Sequence, residues 1–161
     1  SEKAVAVYEE MNVMSKIEVE ARHEIELEEY ILRIQIESRV LGDIARNHVI
    51  PTGIGYQNTL IENVSGLKEI CGKDFKKLAA EQIDLIEKIS GHIAGINSKV
   101  NAMTDERKKA NKLAGQKAAE AYCNKVRTYF EEIRYDCDKL ELLVDDNIWP
   151  LVKYRELLFT R

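Results

Sequence analysis

Between Ser15 and His48, apolar residues recur at alternating steps of three and four, through Leu27, Ile31, Ile34, Leu41, Ala45 and His48, with Ser38 filling the gap. Only an α-helix brings such positions onto one face, so this spacing excludes a strand and predicts one helix of roughly 50 Å at 1.5 Å per residue. Its start is marked by Ser15 with Glu18 three residues later, a capping box flanked by Met14 and Val19. Ile25, Leu32, Ile36, Val40 and Ile44 widen the stripe, which predicts cover on more than one side of the helix.

The same period continues downstream. Pro51 interrupts it, because proline lacks an N–H and disfavours helix at the residue before it, so a kink or break is expected there. The stripe resumes through Ile54, Leu60, Ile61, Val64, Leu67 and Ile70 up to Gly72. A third helix is predicted from a cap at Asp74, with Leu85, Ile89, Ile93, Ile96, Val100 and Met103 on its apolar face. A turn around Gly115 precedes a fourth helix carrying Ala119, Tyr122, Val126, Ile133, Cys137, Leu140 and Val144, which Asp145-Asp146-Asn147 ends. Nothing alternates with period two. The prediction is an all-α, elongated antiparallel bundle of about four long helices. One domain is expected, with a lead-in over 1–14, the bundle over 15–146 and a tail over 147–161. Pro150 is expected to open a short tail helix.

Composition narrows the function classes. With 45% hydrophobic and 32% charged residues and only 2 Pro, the chain is neither disordered nor fibrous. A net charge of −4 and the mixed-sign surroundings of Arg107-Lys108-Lys109 argue against a nucleic-acid face. No apolar run is long enough for a membrane span, and Ser1-Glu2-Lys3 does not begin a signal peptide. A first residue other than Met is expected of a piece of a longer chain. Cys71, Cys123 and Cys137 form no CxxC pair and fall near apolar stripes, so buried free thiols in a reducing cytoplasm are expected.

Catalytic constellations are missing. A di-iron bundle needs two Glu-x-x-His motifs; Glu20-Ala21-Arg22-His23 is one, and Ala45 and Ile89 stand where His48 and His92 would need Glu. The Gly53-Ile54-Gly55 triplet follows no strand and so is no phosphate cradle. The adjacent acids Glu28-Glu29, Glu131-Glu132 and Asp145-Asp146 point about 100° apart on a helix and do not converge. No catalytic, cofactor-binding or metal-binding residue is predicted. Asn47, His48 and Pro51 are structural candidates, with His48 read as a hydrogen-bonded core residue and the carbonyl freed near Pro51 as a partner for His48 or Asn47. Trp149, Leu151, Tyr154, Leu157, Leu158 and Phe159 gather apolar surface in the tail, and Trp149, Tyr154, Leu157 and Phe159 are the candidate interface residues.

Two stretches carry a family likeness. The run from Ile34-Gln35-Ile36-Glu37-Ser38-Arg39-Val40-Leu41-Gly42-Asp43 through Asn47-His48-Val49-Ile50-Pro51-Thr52 and Tyr56-Gln57-Asn58 resembles the C-terminal region of type III glutamine synthetases. The ending, from Lys139-Leu140-Glu141-Leu142-Leu143-Val144 through Trp149-Pro150 to Lys153-Tyr154-Arg155-Glu156-Leu157-Leu158-Phe159, is similar to that family's extreme C-terminus. One departure is Gly53, where the family typically has Ala.

The resemblance implies a parent enzyme that ligates ammonia to glutamate with ATP and Mg or Mn, as a cytoplasmic ring-shaped homo-oligomer. The family's catalytic motifs lie on a preceding domain and none occurs here, so this segment is expected to be inactive alone. Its expected partners are the catalytic domain of the same chain and neighbouring subunits, with no nucleic acid or membrane. The competing reading is a freestanding helical interaction or dimerisation module.

Overall fold

A computed structural model describes residues 2–159. Every regular element among them is helical: α1 (Glu2–Glu10), α2 (Lys16–Ile44), α3 (Ile50–Cys71), α4 (Phe75–Leu78), α5 (Ala80–Ala110), α6 (Gly115–Ala121), α7 (Thr128–Leu143) and α8 (Tyr154–Leu158). The all-α expectation holds. The capping box also forms as read: the Ser15 N–H donates to Glu18 Oε2 at 2.7 Å, and the Glu18 N–H donates to Ser15 Oγ at 3.4 Å.

Pro51 does not break the helix. A wide π-turn, Ala45–Val49, joins α2 to α3, and the Ile50 N–H reaches back five residues to the Ala45 carbonyl. The turn takes up one extra residue just before the proline, whose missing N–H and bulky ring make an ordinary α-turn costly there. The insertion also shifts the phase of the buried stripe. Ala45, Val49 and Ile50 are buried, while His48, expected in the core, faces solvent. A second π-turn, Tyr122–Val126, links α6 towards α7, with the Arg127 N–H on the Tyr122 carbonyl at 3.0 Å.

Other boundaries differ in detail. Gly72 adopts φ 56°, a left-handed conformation that only glycine holds cheaply, and it opens a 3₁₀ turn, Gly72–Asp74. Asp74 lies in that turn and makes no side-chain cap, so the third long helix starts later, at Ala80. Gly115, at φ 54°, turns the chain into α6. Asp145 stops the chain after α7 by accepting from the Asn147 N–H at 2.8 Å. Pro150 stays outside any helix; α8 starts at Tyr154, where the Lys153 N–H donates to Glu156 Oε2 at 3.0 Å.

The described chain divides into two compact units. One takes residues 2–39 with 103–128, and its core holds Ile34, Met103, Ala110, Ala118, Tyr122 and Val126. There α2 and α5 run antiparallel: Gln35 bonds to Asn111 at 3.1 Å, and Ser38 meets Arg107 at 3.4 Å. Ile25, Leu32 and Ile36, the second stripe of α2, remain half-exposed. The other unit takes residues 40–102 with 129–159, around Val49, Leu60, Ile89, Ile96, Ile133 and Leu140. Here α3 and α5 are antiparallel, since partners climb on one helix as they descend on the other. Arg46 bonds to Asn101 at 2.5 Å, Gly53 faces Ile93, and Gln57 bonds to Ser90 at 2.7 Å.

Candidate functional site

The residues singled out in the sequence do not gather into one site. Asn47 donates from Nδ2 to Asp43 Oδ1 along its own helix, and both are exposed. The His48 carbonyl accepts the Thr52 hydroxyl at 2.8 Å. Pro51 is exposed in the first turn of α3. Glu20 and His23 face solvent, with Glu20 3.8 Å from Lys16. An open groove of about 820 Å³ lies between α1 and α2, with Val5, Tyr8, Met14 and Val19 among its apolar lining and Arg22 and Glu26 at its charged edge.

The thiols divide by environment. Cys71 and Cys137 are half-buried, but Cys123, expected inside, is exposed. Burial, with Asp138 and Asp136 nearby, pushes the Cys137 thiol up to about 11.

In the tail, Trp149 is only 9% exposed. Its indole N–H has no hydrogen-bond partner. Lys153 fastens the following turn by donating to the Glu141 carbonyl at 3.3 Å and to Asp146. Beyond it the apolar side chains turn outward: Leu157 is 58% exposed, Leu158 61% and Phe159 80%. The side chain of Tyr154 lies outside the described residues.

The most organised polar cluster was not anticipated from the sequence. Asp136 on α7 is 6% exposed and faces α5. One carboxylate oxygen lies 3.0 Å from His92 Nδ1; the other accepts from Lys99 Nζ at 2.8 Å, and Lys99 also reaches the Glu132 carbonyl at 3.3 Å. His92 and Lys99 stand two turns apart on one face of α5, with Gly95 between them. Burial pushes the Asp136 carboxyl up, but the hydrogen bonds from Lys99 and His92, and the charge of both, outweigh it. The carboxyl is therefore held below its ordinary range. Both oxygens are engaged and the group stays ionised at neutral pH, so this is a clasp between helices and not a poised acid or base. One signal was present in the text: Asp136 lies three residues after Ile133 and four before Leu140, on the buried stripe. A buried acid there needs partners.

Among the described residues, no group of three or more His, Cys, Asp or Glu side chains is arranged to hold a metal ion. No helix among them is long and apolar enough to cross a membrane.

Comparison with known proteins identifies the family. Residues 1–68 match the family described as the glutamine synthetase C-terminal domain. Over 151 residues the chain is 46% identical to a glutamine synthetase of Bacteroides fragilis (strain YCH46), an alignment that takes in 92% of this chain and 21% of that protein. It is 30% identical over 166 residues to the type-3 glutamine synthetase of Dictyostelium discoideum, covering 100% of this chain and 22% of the relative. A glutamine synthetase of Butyrivibrio fibrisolvens is 23% identical over 160 residues, 99% of this chain and 23% of that one. The chain spans about a fifth of the length of the curated relatives it matches. By these matches the chain belongs to the glutamine synthetases of type III, as their helical C-terminal domain.

Proposed function

We propose that this domain has a structural role in a type III glutamine synthetase, packing on the catalytic domain of its own chain or on a neighbouring subunit and thereby supporting assembly. The longer protein then carries out the ATP-dependent ligation of ammonia to glutamate, as a cytoplasmic homo-oligomer. ATP and Mg or Mn bind outside this segment, which is inactive by itself.

The observation that carries this reading is the state of the tail. Trp149 is buried with its indole N–H unpaired, and Leu157, Leu158 and Phe159 project into solvent within one short helix and its last turn. Soluble proteins seldom leave contiguous apolar surface uncovered, and aromatic side chains are frequent anchors of buried contacts. Cover from another part of the enzyme would bury that surface and supply an acceptor for Trp149.

The test is deletion of residues 149–161 from the full-length enzyme, followed by sedimentation and specific activity. The expected result is reduced assembly, with activity falling in step. A truncated enzyme that stays fully assembled and stable but loses activity would overturn the structural role and place the tail at the reaction itself.

A further inference from the structure

We infer that the outer face of α2 is a self-association surface, on which a second copy of this chain lays its own α2 in antiparallel fashion. Ile25, Leu32 and Ile36 are 54%, 54% and 52% exposed. Steps of seven and four set them in one stripe, about 16 Å long at 1.5 Å per residue. The helix already has a covered side, where Ile34 and Ser38 are buried and Gln35 and Ser38 meet α5. The outer stripe is therefore surplus to the packing of this unit. Its spacing is that of a seam between helices, which another helix fills.

Charge decides which helix that is. Over residues 16–29 six Glu stand against Lys16 and Arg22, a net charge of −4; over 30–39 Arg33 and Arg39 stand against Glu37, a net of +1. Beside the stripe, Glu28 and Glu29 precede Leu32 while Arg33 and Arg39 follow it. All four are exposed, and none is in an ion pair among the described residues. A uniformly basic partner would be repelled at one end of such a stripe, and a uniformly acidic one at the other. A parallel copy would set acid against acid and arginine against arginine. An antiparallel copy sets the acids of each α2 against the arginines of the other, about a two-fold axis near Leu32, so both ends attract at once.

Three apolar side chains bury far less than the ~800 Å² per partner of a standard stable interface. The contact therefore gains its strength where an oligomer presents it several times over. In this the inference rests on the assembly role proposed above, but it uses a surface other than the tail.

The experiment uses two paired substitutions in the full-length enzyme, Glu28→Arg with Glu29→Arg and Arg33→Glu with Arg39→Glu, read by sedimentation velocity. Far-UV circular dichroism and Tm check that these exposed changes leave the fold intact. A two-fold contact joins particles in pairs, so each paired variant should sediment as a particle of half the mass. Combining all four substitutions reverses every charge and restores the complementarity, so the parent particle should return. Unchanged sedimentation of either paired variant would overturn the inference, because the contact uses both sets of charges equally. Loss without recovery in the combined variant would overturn it too, by showing that α2 faces something other than its own copy. Deletion of residues 149–161 leaves the α2 stripe in place. An enzyme that disassembles on that deletion but not on charge reversal would keep the structural role of the tail and remove this contact alone.

Discussion

A Cβ placed on Gly95 would stand 2.6 Å from Asp136 Oδ2 and 3.3 Å from its Cγ. Gly95 is therefore what lets the α7 carboxylate approach α5 closely enough to reach both His92 and Lys99. Gly95→Ala should destabilise by about 1–3 kcal/mol, the usual cost of overpacking a closed site. Gly91, one turn earlier on the same helix, has nothing within 4 Å of its missing Cβ. Gly91→Ala should stabilise by up to ~1 kcal/mol through helix propensity. Urea denaturation of the two variants measures the contrast, and equal tolerance would mean that the clasp is not closed as described.

Removing the acid tests the clasp from the other side. Asp136→Ala should cost about 1.5–3 kcal/mol, the range for hydrogen bonds to charged groups, since His92 and Lys99 remain partly solvated. Because the folded carboxyl titrates below its unfolded counterpart, the stabilisation is complete above the unfolded pKa near ~4 and disappears as pH falls through the folded value. The difference in stability between the native sequence and Asp136→Asn should therefore be constant near neutrality and shrink in acid. A difference that grows in acid would show that the carboxyl is raised, not lowered.

The phase shift at the π-turn sets His48 against Val49. His48→Ala should change stability by no more than ~0.5 kcal/mol, as exposed positions do. Val49→Ala empties fully buried volume and should cost ~2 kcal/mol. Chemical denaturation of both variants decides between this register and an uninterrupted α-helix, which would reverse the order.

Thiol reactivity should follow exposure. Cys123 should be alkylated first at mildly alkaline pH, while Cys137, half-buried and with its thiol pushed up to about 11, should be protected until the protein opens. Mass spectrometry of time-quenched samples reads the order of labelling. Faster modification of Cys137 than of Cys123 would contradict the packing of α7.

Core depth gives a further check. Ile34→Ala and Ile96→Ala should each cost about 2–5 kcal/mol, and Glu131→Ala should stay within ~0.5 kcal/mol. Ile93, read from its spacing as equivalent to Ile96, is only half-buried, and it should lose less. Thermal or urea unfolding of the series orders them, and equal losses throughout would reject the assigned faces.

Helical content, the capping box at Ser15 and the stops at Gly72, Gly115 and Asp145 were legible in the sequence, because each depends on residues within a turn or two of one another. The family could be read there too, since the stretches from Ile34 to Asn58 and from Lys139 to Phe159 carry it as text. Local spacing could not fix the phase beyond Ala45. Proline announces a lost hydrogen bond, but whether the chain breaks, kinks or absorbs an extra residue depends on which alternative best fills the core, and burying Val49 and Ile50 decided it. Asp136 was hidden for a similar reason. A carboxylate on an apolar stripe is costly until His92 and Lys99 arrive from another helix, and that pairing joins residues more than thirty positions apart. Only packing brings them within hydrogen-bond distance, over a glycine whose lack of a side chain means little until its neighbour across the interface is known.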